Sequence, residues 1–553
     1  MQFNFFRKRR KIPYNFDPDQ VFLDSRNLPS FNNQQFEGRI ERPIDRRVFV
    51  VTGVIFALIT LVFIIRLTEL QVVRGQELFN ESNSNKLSHK IIFPDRGIIY
   101  DRNRVELAWN NPDREYIAKK GFAHILGYIG FPDDEDLKAG AYHEEMLGKS
   151  GVEKVYNDDL SGTEGIKIEE LTALGEVNSD HVLEEPKNGD SLELAIDARL
   201  QEALYEKIEA VAVGNDYEGG SGVIMDVSTG EIIALVSYPE YDPNILVDRV
   251  DSDAISQFFN DSAKPFLNRA VSGLYTPGSI IKPFIATGAL KEEIINPSKQ
   301  ILSTGELVVP NPYNKDAPSI FKDWKAHGLV DMRRALAVSS NVYFYQIGGG
   351  FGNQLGLGIS GIEEIVRLFG FGAPTGIDLL SEEVGVIPNP KWKAELFDDE
   401  PWRLGDTYHT AIGQYGFLVT PIQVATGMSA IANGGKLVQP KLLISKENKI
   451  TDLGISEHLQ VIRDGLRQAV TEGTAAALNV PYVKVGAKTG TAELGVHKEN
   501  MNAWITGFFP YDQPRYAFAV VMERGPKGTL IGGGMVMRGM LDWMNQNTPE
   551  YFD

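Results

Sequence analysis

Three short stretches of this 553-residue chain carry residue types that could perform nucleophilic chemistry. In the first, Ser279 and Lys282 stand three residues apart, directly after Pro277-Gly278. Pro-Gly is typical of a turn, and the residues after it predict a helix start with both side chains on one face. A serine hydroxyl is a poor nucleophile until a base is adjacent, and a partly desolvated lysine can be that base. The alternative is an N-cap serine with a surface lysine one turn later.

The second stretch is Ser339-Ser340-Asn341, which follows a predicted helix over residues 332–338. Ser339 and Asn341 place a hydroxyl and an amide two residues apart where that helix ends. Such a pair could pass a proton and hold a substrate carbonyl. The alternative is an ordinary turn that closes the helix.

The third stretch, Lys488-Thr489-Gly490-Thr491, is predicted to begin a strand after Val485-Gly486-Ala487, close to the short strand predicted over residues 483–486. On an edge strand, the amine of Lys488 and the two threonine hydroxyls would hold a substrate carboxylate. Gly490 would let the backbone of a substrate lie close to the strand. The alternative is a strand with no role beyond the sheet.

The segments around these stretches predict the elements that must position them. Residues 199–213 have helical periodicity, and residues 221–226 and 231–237 predict two strands joined by a turn at Ser228-Thr229-Gly230. Near the end of the chain, three more strands and a closing helix are predicted at 483–486, 503–508, 516–522 and 535–545. Helices inserted between early and late strands of one antiparallel sheet indicate an α+β layered domain.

The N-terminal region has the composition of a membrane anchor. Residues 1–47 hold ten Lys or Arg against six acids, and the eighteen residues 48–65 hold no charge. This length lies within the range of about 17–25 residues that a membrane span needs. A buried core helix and a cleaved signal peptide are the alternatives, and both are usually shorter in their apolar part. Basic residues before the span predict a cytoplasmic N-terminus, with the rest of the chain outside the cytoplasmic membrane.

Composition excludes several other classes of protein. The chain has 55 Lys+Arg against 74 Asp+Glu and a net charge of −19, whereas nucleic-acid binders normally carry a basic surplus. It contains no cysteine, which excludes disulfide frameworks, thiolate zinc sites and cysteine nucleophiles.

In this order, and with spacings of 60 and then 149 residues, the three stretches resemble the S-x-x-K, S-x-N and K-T-G signature of penicillin-binding proteins and class A β-lactamases. Residues 193–545 are similar to the transpeptidase domain of class B penicillin-binding proteins. Thr375-Gly376-Ile377-Asp378-Leu379 and Gly405-Asp406-Thr407 are most similar to the elongation type, penicillin-binding protein 2. The septal-division type is the nearest alternative. A β-lactam sensor and a scaffold without crosslinking activity are alternatives of other kinds.

The resemblance implies a domain order of four parts. These are a cytoplasmic tail (1–47), a transmembrane helix (48–66), a shortened β-rich pedestal of the dimerisation type (67–192) and a transpeptidase domain (193–553). The transpeptidase domain is expected to have the penicillin-binding/serine β-lactamase fold, with an antiparallel sheet between helices. The implied location is the bacterial inner membrane, with the catalytic domain in the periplasm.

The resemblance also implies a mechanism. Ser279 would attack the penultimate carbonyl of a stem peptide ending in D-Ala-D-Ala, with Lys282 as base, and D-Ala would leave. An amine on a neighbouring strand would then take the acyl group, while β-lactams would acylate the same serine. Ser339 would relay a proton to the leaving amine, and Asn341 would position Lys282 and the donor peptide.

Further roles implied by the resemblance concern the third stretch. Lys488 would disfavour protonated Lys282 and, with Thr489 and Thr491, attract the terminal carboxylate. The backbone N–H groups of Ser279 and Thr491 would form the oxyanion hole. No cofactor is implied.

Some relatives bind zinc near the second stretch. Asp323 and His327 are present here, but the chain has no cysteine, so we expect no metal.

Four departures from the family pattern stand out. Leu380-Ser381, Tyr415 and His409 replace residues usual in the family, and after Asn111-Pro112 the chain has no counterpart of the usual pedestal head. The implied membrane partner is a RodA-type glycan polymerase, which relatives contact through the span and the pedestal close to the membrane. Relatives bind the scaffold protein MreC through the pedestal head. Because this chain has no counterpart of that head, we expect MreC-type regulation to be weakened or rerouted.

Overall fold

The computed structural model describes residues 45–84, 87–171, 177–248, 252–311, 314, 316–495 and 499–552. The predicted cytoplasmic tail therefore lies outside the described residues except for its last three, 45–47. Contacts divide the chain into two compact units. One contains Met1–Ser88 and Glu170–Asn178, and the other contains His89–Glu169 and Ser179–Asp553.

The first unit is dominated by the apolar helix α1, Arg46–Thr68, which continues through a π-helical turn at Glu69–Val73. Asp45 caps α1, because its carboxylate accepts a hydrogen bond from the Arg47 N–H at 3.1 Å. None of the α1 side chains is buried in the protein. At 1.5 Å per residue its 23 residues extend about 35 Å, against about 30 Å for the apolar part of a bilayer. By length and composition α1 can cross a membrane.

The other elements are mostly short before residue 198 and longer after it. The further helices are α2 Gly75–Ser84, α3 Ala123–Leu126, α4 Asp134–Ala139, α5 Gly151–Val155, α6 Asn157–Ser161, α7 Ala198–Gly214, α8 Pro243–Asp248, α9 Ser252–Asn260, α10 Lys282–Lys291, α11 Met332–Ala337, α12 Asn341–Gly349, α13 Gly358–Leu368, α14 Pro390–Leu396, α15 Leu404–Ala411, α16 Pro421–Ala432, α17 Ser456–Glu472 and α18 Gly533–Asn547. The strands are β1 Leu87–Ile92, β2 Ile99–Tyr100, β3 Glu106–Asn110, β4 Arg114–Tyr116, β5 Ile129–Gly130, β6 Leu147–Gly148, β7 Gly165–Leu171, β8 Val177–Glu184, β9 Leu192–Glu193, β10 Gly219–Asp226, β11 Ile232–Tyr238, β12 Ile301–Ser303, β13 Glu306–Val309, β14 Ser319–Lys322, β15 Gly328–Val330, β16 Lys436–Val438, β17 Ile450–Asp452, β18 Gly486–Leu494, β19 Asn500–Phe509 and β20 Tyr516–Pro526.

The region that corresponds to the expected pedestal contains a four-stranded sheet in the order β4–β3–β2–β9 and a pair β5–β6. Strands β3 and β4 form a hairpin joined directly by residues 111–113. The buried carboxylate of Glu153 on α5 pairs with Arg96 at 2.6 Å and with Arg114 at 2.7 Å. Since all three side chains are buried, each charge depends on the others for compensation.

A five-stranded antiparallel sheet, in the order β11–β10–β20–β19–β18, organises the second half of the chain. Its side chains alternate between two cores. On β10, Val223 and Met225 belong to the core that contains α10 and α16, whereas Ile224 belongs to the core that contains α7 and α18. The sheet therefore lies between two helical layers, which confirms the α+β fold class.

Most elements predicted around the sheet are confirmed. Helices α7 and α18 and strands β10, β11, β19 and β20 coincide with predicted segments. The strand predicted over residues 483–486 is wrong, because β18 begins at Gly486 and runs to Leu494. Val483 and Val485 are buried in the core before the strand, so their apolar character reflects burial and not strand pairing.

Candidate active site

The first motif lies on a tight turn of 3₁₀ helix, Gly278–Ile281, that leads into α10. The Lys282 N–H donates to the Ser279 carbonyl, which closes this turn. The sequence predicted both residues on one face of a helix, and a 3₁₀ turn aligns residues i and i+3 more closely than an α-helix. Lys282 is fully buried and Ser279 is half-buried. The turn therefore presents the serine to solvent and the lysine to the interior.

The loop before Ser279 is held by backbone and indole contacts. The Gly278 N–H donates to the Gly413 carbonyl at 2.9 Å. The indole N–H of Trp504 on β19 donates to the Thr276 carbonyl at 3.0 Å. Tyr275 packs edge-on against that indole. Together these contacts fix the position of the 3₁₀ turn relative to the sheet.

The second motif connects α11 to α12. Ser339 adopts a left-handed conformation with φ of 58°. Ser340 is the N-cap of α12, and its hydroxyl accepts a hydrogen bond from the Tyr343 N–H at 3.3 Å. The Asp323 carboxylate accepts from the Ser340 hydroxyl at 2.9 Å and from the Val342 N–H at 3.0 Å. Asp323 thus stabilises the turn that contains Ser339. The left-handed conformation of Ser339 costs free energy in a residue other than glycine.

The amines of two lysines meet at the Ser339 side chain. The Lys282 amine donates to the Ser339 carbonyl at 2.8 Å, to Asn341 Oδ1 at 2.7 Å and to Ser339 Oγ at 3.4 Å. The Lys488 amine donates to the same Oγ at 2.8 Å and to the Thr489 carbonyl at 2.8 Å. Ser279 Oγ forms no hydrogen bond with any residue the structure describes, so Lys282 does not contact it directly here. Catalytic hydrogen bonds are often absent from an empty site and form when substrate binds.

Burial controls the charge of both lysines. It lowers the pKa of Lys282 to about 7, against a smaller opposing effect of the Asp323 carboxylate. It also lowers the pKa of Lys488 well below its usual range, with the nearby Lys282 as the second cause. From the sequence, desolvation and the charge of Lys488 are both expected to favour neutral Lys282, and burial is the larger cause in the structure. Repulsion between the two amines disfavours the state in which both are protonated.

The third motif lies on β18, the edge strand of the sheet. In the pairing with β19, Gly490 lies opposite Trp504. A Cβ at Gly490 would come within 2.8 Å of the Pro277 carbonyl oxygen, so glycine is what lets the strand pack against the loop of the first motif. The Thr489 hydroxyl donates to the Thr474 hydroxyl at 2.7 Å. These contacts confirm the predicted edge strand.

The structure brings all eight predicted site residues to one cleft between β18, the 3₁₀ turn and the α11–α12 connection. The residues are Ser279, Lys282, Ser339, Asn341, Lys488, Thr489, Gly490 and Thr491. Sequence reasoning missed Thr474 and Trp504 as neighbours of the site, because neither belongs to a short motif. It considered Asp323 only as a metal ligand.

Two of the departures from the family pattern lie close to the first motif. Tyr415 follows Gly413 by two residues, has φ of 64° and packs edge-on against Trp392 and Trp402. The ring of His409 lies 5.5 Å from that of Phe321. Both residues therefore pack among aromatic side chains outside the three motifs.

Asp323 and His327 do not form a metal site with the other described residues. Their Oδ1 and Nε2 atoms are 3.6 Å apart, and the carboxylate already accepts several hydrogen bonds. Within the described parts of the chain, no group of three or more His, Cys, Asp or Glu side chains could hold a metal ion. Zinc sites in proteins normally use three or four protein ligands. The residues described here do not fit zinc.

Comparison of the sequence with protein families gives two matches. Residues 220–535 match the penicillin binding protein transpeptidase domain, and residues 110–194 match the penicillin-binding protein dimerisation domain. Among curated proteins, the chain is 30% identical over 476 residues to the peptidoglycan D,D-transpeptidase MrdA of Haemophilus influenzae, covering 79% of this chain and 70% of that protein. It is 28% identical to MrdA of Escherichia coli K12, covering 88% of this chain and 92% of that protein.

Solved structures show the same similarity. A complex between penicillin-binding protein 2 and MreC from Helicobacter pylori matches with a TM-score of 0.72 and 27% identity, over 84% of this chain and 99% of the other. Penicillin-binding protein 2 of Pseudomonas aeruginosa, in complex with WCK 5153, matches with a TM-score of 0.70 and 29% identity, over 83% and 97%.

The pKa of Lys282 predicts a pH dependence for acylation of Ser279. A base must be deprotonated to act, and for an amine the deprotonated fraction rises with pH through its pKa. We expect the rate constant for acylation by a fluorescent penicillin to rise as pH increases through about 7 and then to level off. Stopped-flow measurement on the full-length protein in detergent checks this. A rate that does not change between about pH 5.5 and about pH 8.5 would contradict the role of Lys282 as base.

Proposed function

The chain belongs to the penicillin-binding protein transpeptidase family, and from that membership we propose that it crosslinks peptidoglycan during cell elongation. It is a serine D,D-transpeptidase of the penicillin-binding protein 2 type. The observation that carries the proposal is the meeting of two buried lysine amines at Ser339 Oγ, next to the turn that presents Ser279.

The first half of the reaction acylates Ser279. Lys282, whose pKa of about 7 leaves much of it neutral at physiological pH, accepts the hydroxyl proton as Ser279 Oγ attacks the penultimate carbonyl of a stem peptide. The C–N bond to the terminal D-Ala breaks, and that amine leaves with a proton. In the second half, an amine of a neighbouring strand attacks the ester carbonyl and gives up one of its protons. The new amide forms, the bond from the acyl carbon to Ser279 Oγ breaks, and the proton from the acceptor amine restores the hydroxyl.

Ser339 supplies the path for the proton. Its hydroxyl lies within hydrogen-bonding distance of both lysine amines, so it can accept a proton from one side and donate to the leaving amine on the other. Asn341 holds the amine of Lys282 through its Oδ1 atom and leaves its amide N–H₂ group directed to the Lys322 carbonyl at 3.4 Å. We assign Asn341 the positioning of Lys282 and of the donor peptide.

Recognition of the donor uses the edge of β18. The terminal carboxylate is attracted to Thr489 and Thr491 beside the amine of Lys488, whose protonated form the carboxylate favours, and Gly490 leaves room for the peptide backbone. The carbonyl oxygen of the substrate accepts hydrogen bonds from the backbone N–H groups of Ser279 and Thr491. In a protease, removing one donor of such an oxyanion hole raises the free energy of the transition state by about 3–4 kcal/mol.

The acylated residue is the first test. We expect a fluorescent penicillin to label the protein covalently at Ser279, and labelling to be lost in Ser279→Ala because no other described hydroxyl lies on the turn before Lys282. Peptide mapping by mass spectrometry identifies the modified residue. The exposed Ser298→Ala variant serves as the matched control and should label normally. Labelling that persists in Ser279→Ala, or maps to another residue, would overturn the assignment.

We also propose a single-pass topology with the tail in the cytoplasm. The basic residues of 1–47 support it, and α1 supplies the span. In this arrangement the pedestal (67–192) and the transpeptidase domain (193–553) lie in the periplasm.

Protease accessibility checks the orientation. When protease is added to cells with a permeabilised outer envelope, residues after about 70 should be digested and the N-terminal tail spared. An epitope at each end of the chain reports both outcomes in one blot. Protection of the catalytic part with digestion of the tail would reverse the proposed orientation.

The proposed membrane partner is a RodA-type glycan polymerase. Residues 48–65, 66–75 and 96–103 resemble the parts that relatives use for this contact, and the span is present as α1. A similar solved structure is the complex of penicillin-binding protein 2 with MreC from Helicobacter pylori. Here residues 111–113 join β3 to β4 directly, so we propose that MreC-type regulation is weakened or rerouted.

Co-purification from membranes separates the two partners. We expect the polymerase to remain with the full-length protein in mild detergent, and an MreC-like protein to be lost at equal expression. A variant with α1 replaced by an unrelated span should lose the polymerase while keeping penicillin labelling. Tight retention of the MreC-like protein without the polymerase would refute this proposal.

A further inference from the structure

Thr474 is placed at the cleft by the end of α17, outside the three motifs. The helix ends at Glu472, and Gly473 then passes so close to α11 that a Cβ there would overlap the Ala337 carbonyl oxygen. The Thr474 N–H donates to that same carbonyl at 3.1 Å. Ala337 is two residues before Ser339, so Thr474 is fixed relative to the second motif.

The Thr474 side chain reaches the third motif. Its hydroxyl accepts a hydrogen bond from Thr489 Oγ1 at 2.7 Å, and the residue is half-buried, not enclosed. A hydroxyl has one proton to donate. The proton of Thr489 is engaged with Thr474, whereas the Thr474 hydroxyl donates to no acceptor among the residues the structure describes. The free proton of this pair is therefore on Thr474.

We propose that Thr474 is a further substrate-binding residue, whose hydroxyl donates a hydrogen bond to the terminal carboxylate of the donor peptide. This rests on the proposed transpeptidase function and adds a residue to its carboxylate site. A hydroxyl that already accepts a hydrogen bond becomes a better donor, because the two bonds polarise each other. A bond to an ionised acceptor is also stronger than one between neutral groups. Thr489 then contributes to carboxylate binding through Thr474, because Thr489 donates to Thr474 and Thr474 donates to the carboxylate.

Position and charge agree with this role. The amine of Lys488 donates to the carbonyl of Thr489, so the Thr489–Thr474 pair lies beside an amine whose protonated form a bound carboxylate would favour. The competing explanation is that Thr474 only ties β18 to α11. The two explanations differ in one measurable respect: a carboxylate donor matters only for a ligand that has a carboxylate.

The experiment compares benzylpenicillin with its methyl ester as acylating agents of the full-length protein. Thr474→Val keeps the shape of the side chain and removes the hydroxyl, so acylation by benzylpenicillin should slow by about tenfold. Acylation by the ester should change by less than about twofold, since it lacks the carboxylate. Thr474→Ser should restore the wild-type ratio of the two rates. Thr471→Val, on the exposed face of α17, is the matched control and should resemble the wild type.

The other outcomes overturn the proposal in distinguishable ways. An equal loss for both compounds in Thr474→Val would make Thr474 a purely structural contact. Unchanged rates for benzylpenicillin would show that its hydroxyl does not bind the carboxylate. If the wild-type protein itself is not acylated at Ser279, the transpeptidase function fails, and the Thr474 assignment fails with it.

Discussion

Two lysines buried at one serine hydroxyl set the conditions for everything else at this site. Lys282 and Lys488 approach Ser339 Oγ from different elements, one from the start of α10 and the other from the edge strand β18. Burying an amine favours its neutral form, which is the form a general base needs. Burial of both amines requires that α10, β18 and the α11–α12 connection stay close together. Packing of the surrounding fold holds these three elements rigidly in place.

Close approach of backbones provides much of this rigidity. A Cβ at Gly278 would lie 2.7 Å from the Thr491 carbonyl oxygen, and one at Gly490 would lie 2.8 Å from the Pro277 carbonyl oxygen. Gly278 also has φ of 54°, which a residue with a side chain rarely adopts. The glycines of the first and third motifs thus allow the backbones of these two motifs to pack closely. Trp504 and Tyr275 fill the space behind this contact.

The motif residues could be predicted from the sequence because each motif is local, with its spacing set by one turn or one strand. The sheet was predictable for the same reason, since β10 and β11 are β-rich runs joined by the turn at residues 228–230. What could not be predicted depends on contacts between distant segments. Thr474 reaches Thr489 only because α17 packs on α11, and the pKa of Lys282 depends on how deeply α10 is buried.

The hydrogen-bond acceptors of the Lys282 and Lys488 amines determine how a bound anion would affect their charge. Among the described residues, Lys282 and Lys488 hydrogen-bond only to neutral oxygens, those of Ser339, Asn341 and Thr489. No carboxylate competes at hydrogen-bonding distance, and Asp323 acts on Lys282 only through its field. A carboxylate bound at β18 would favour the protonated form of Lys488, because an opposite charge stabilises the ammonium. Under the proposed function, binding of the donor peptide and the charge of Lys488 are therefore linked, while burial keeps the pKa of Lys282 low, as its proposed role of base requires.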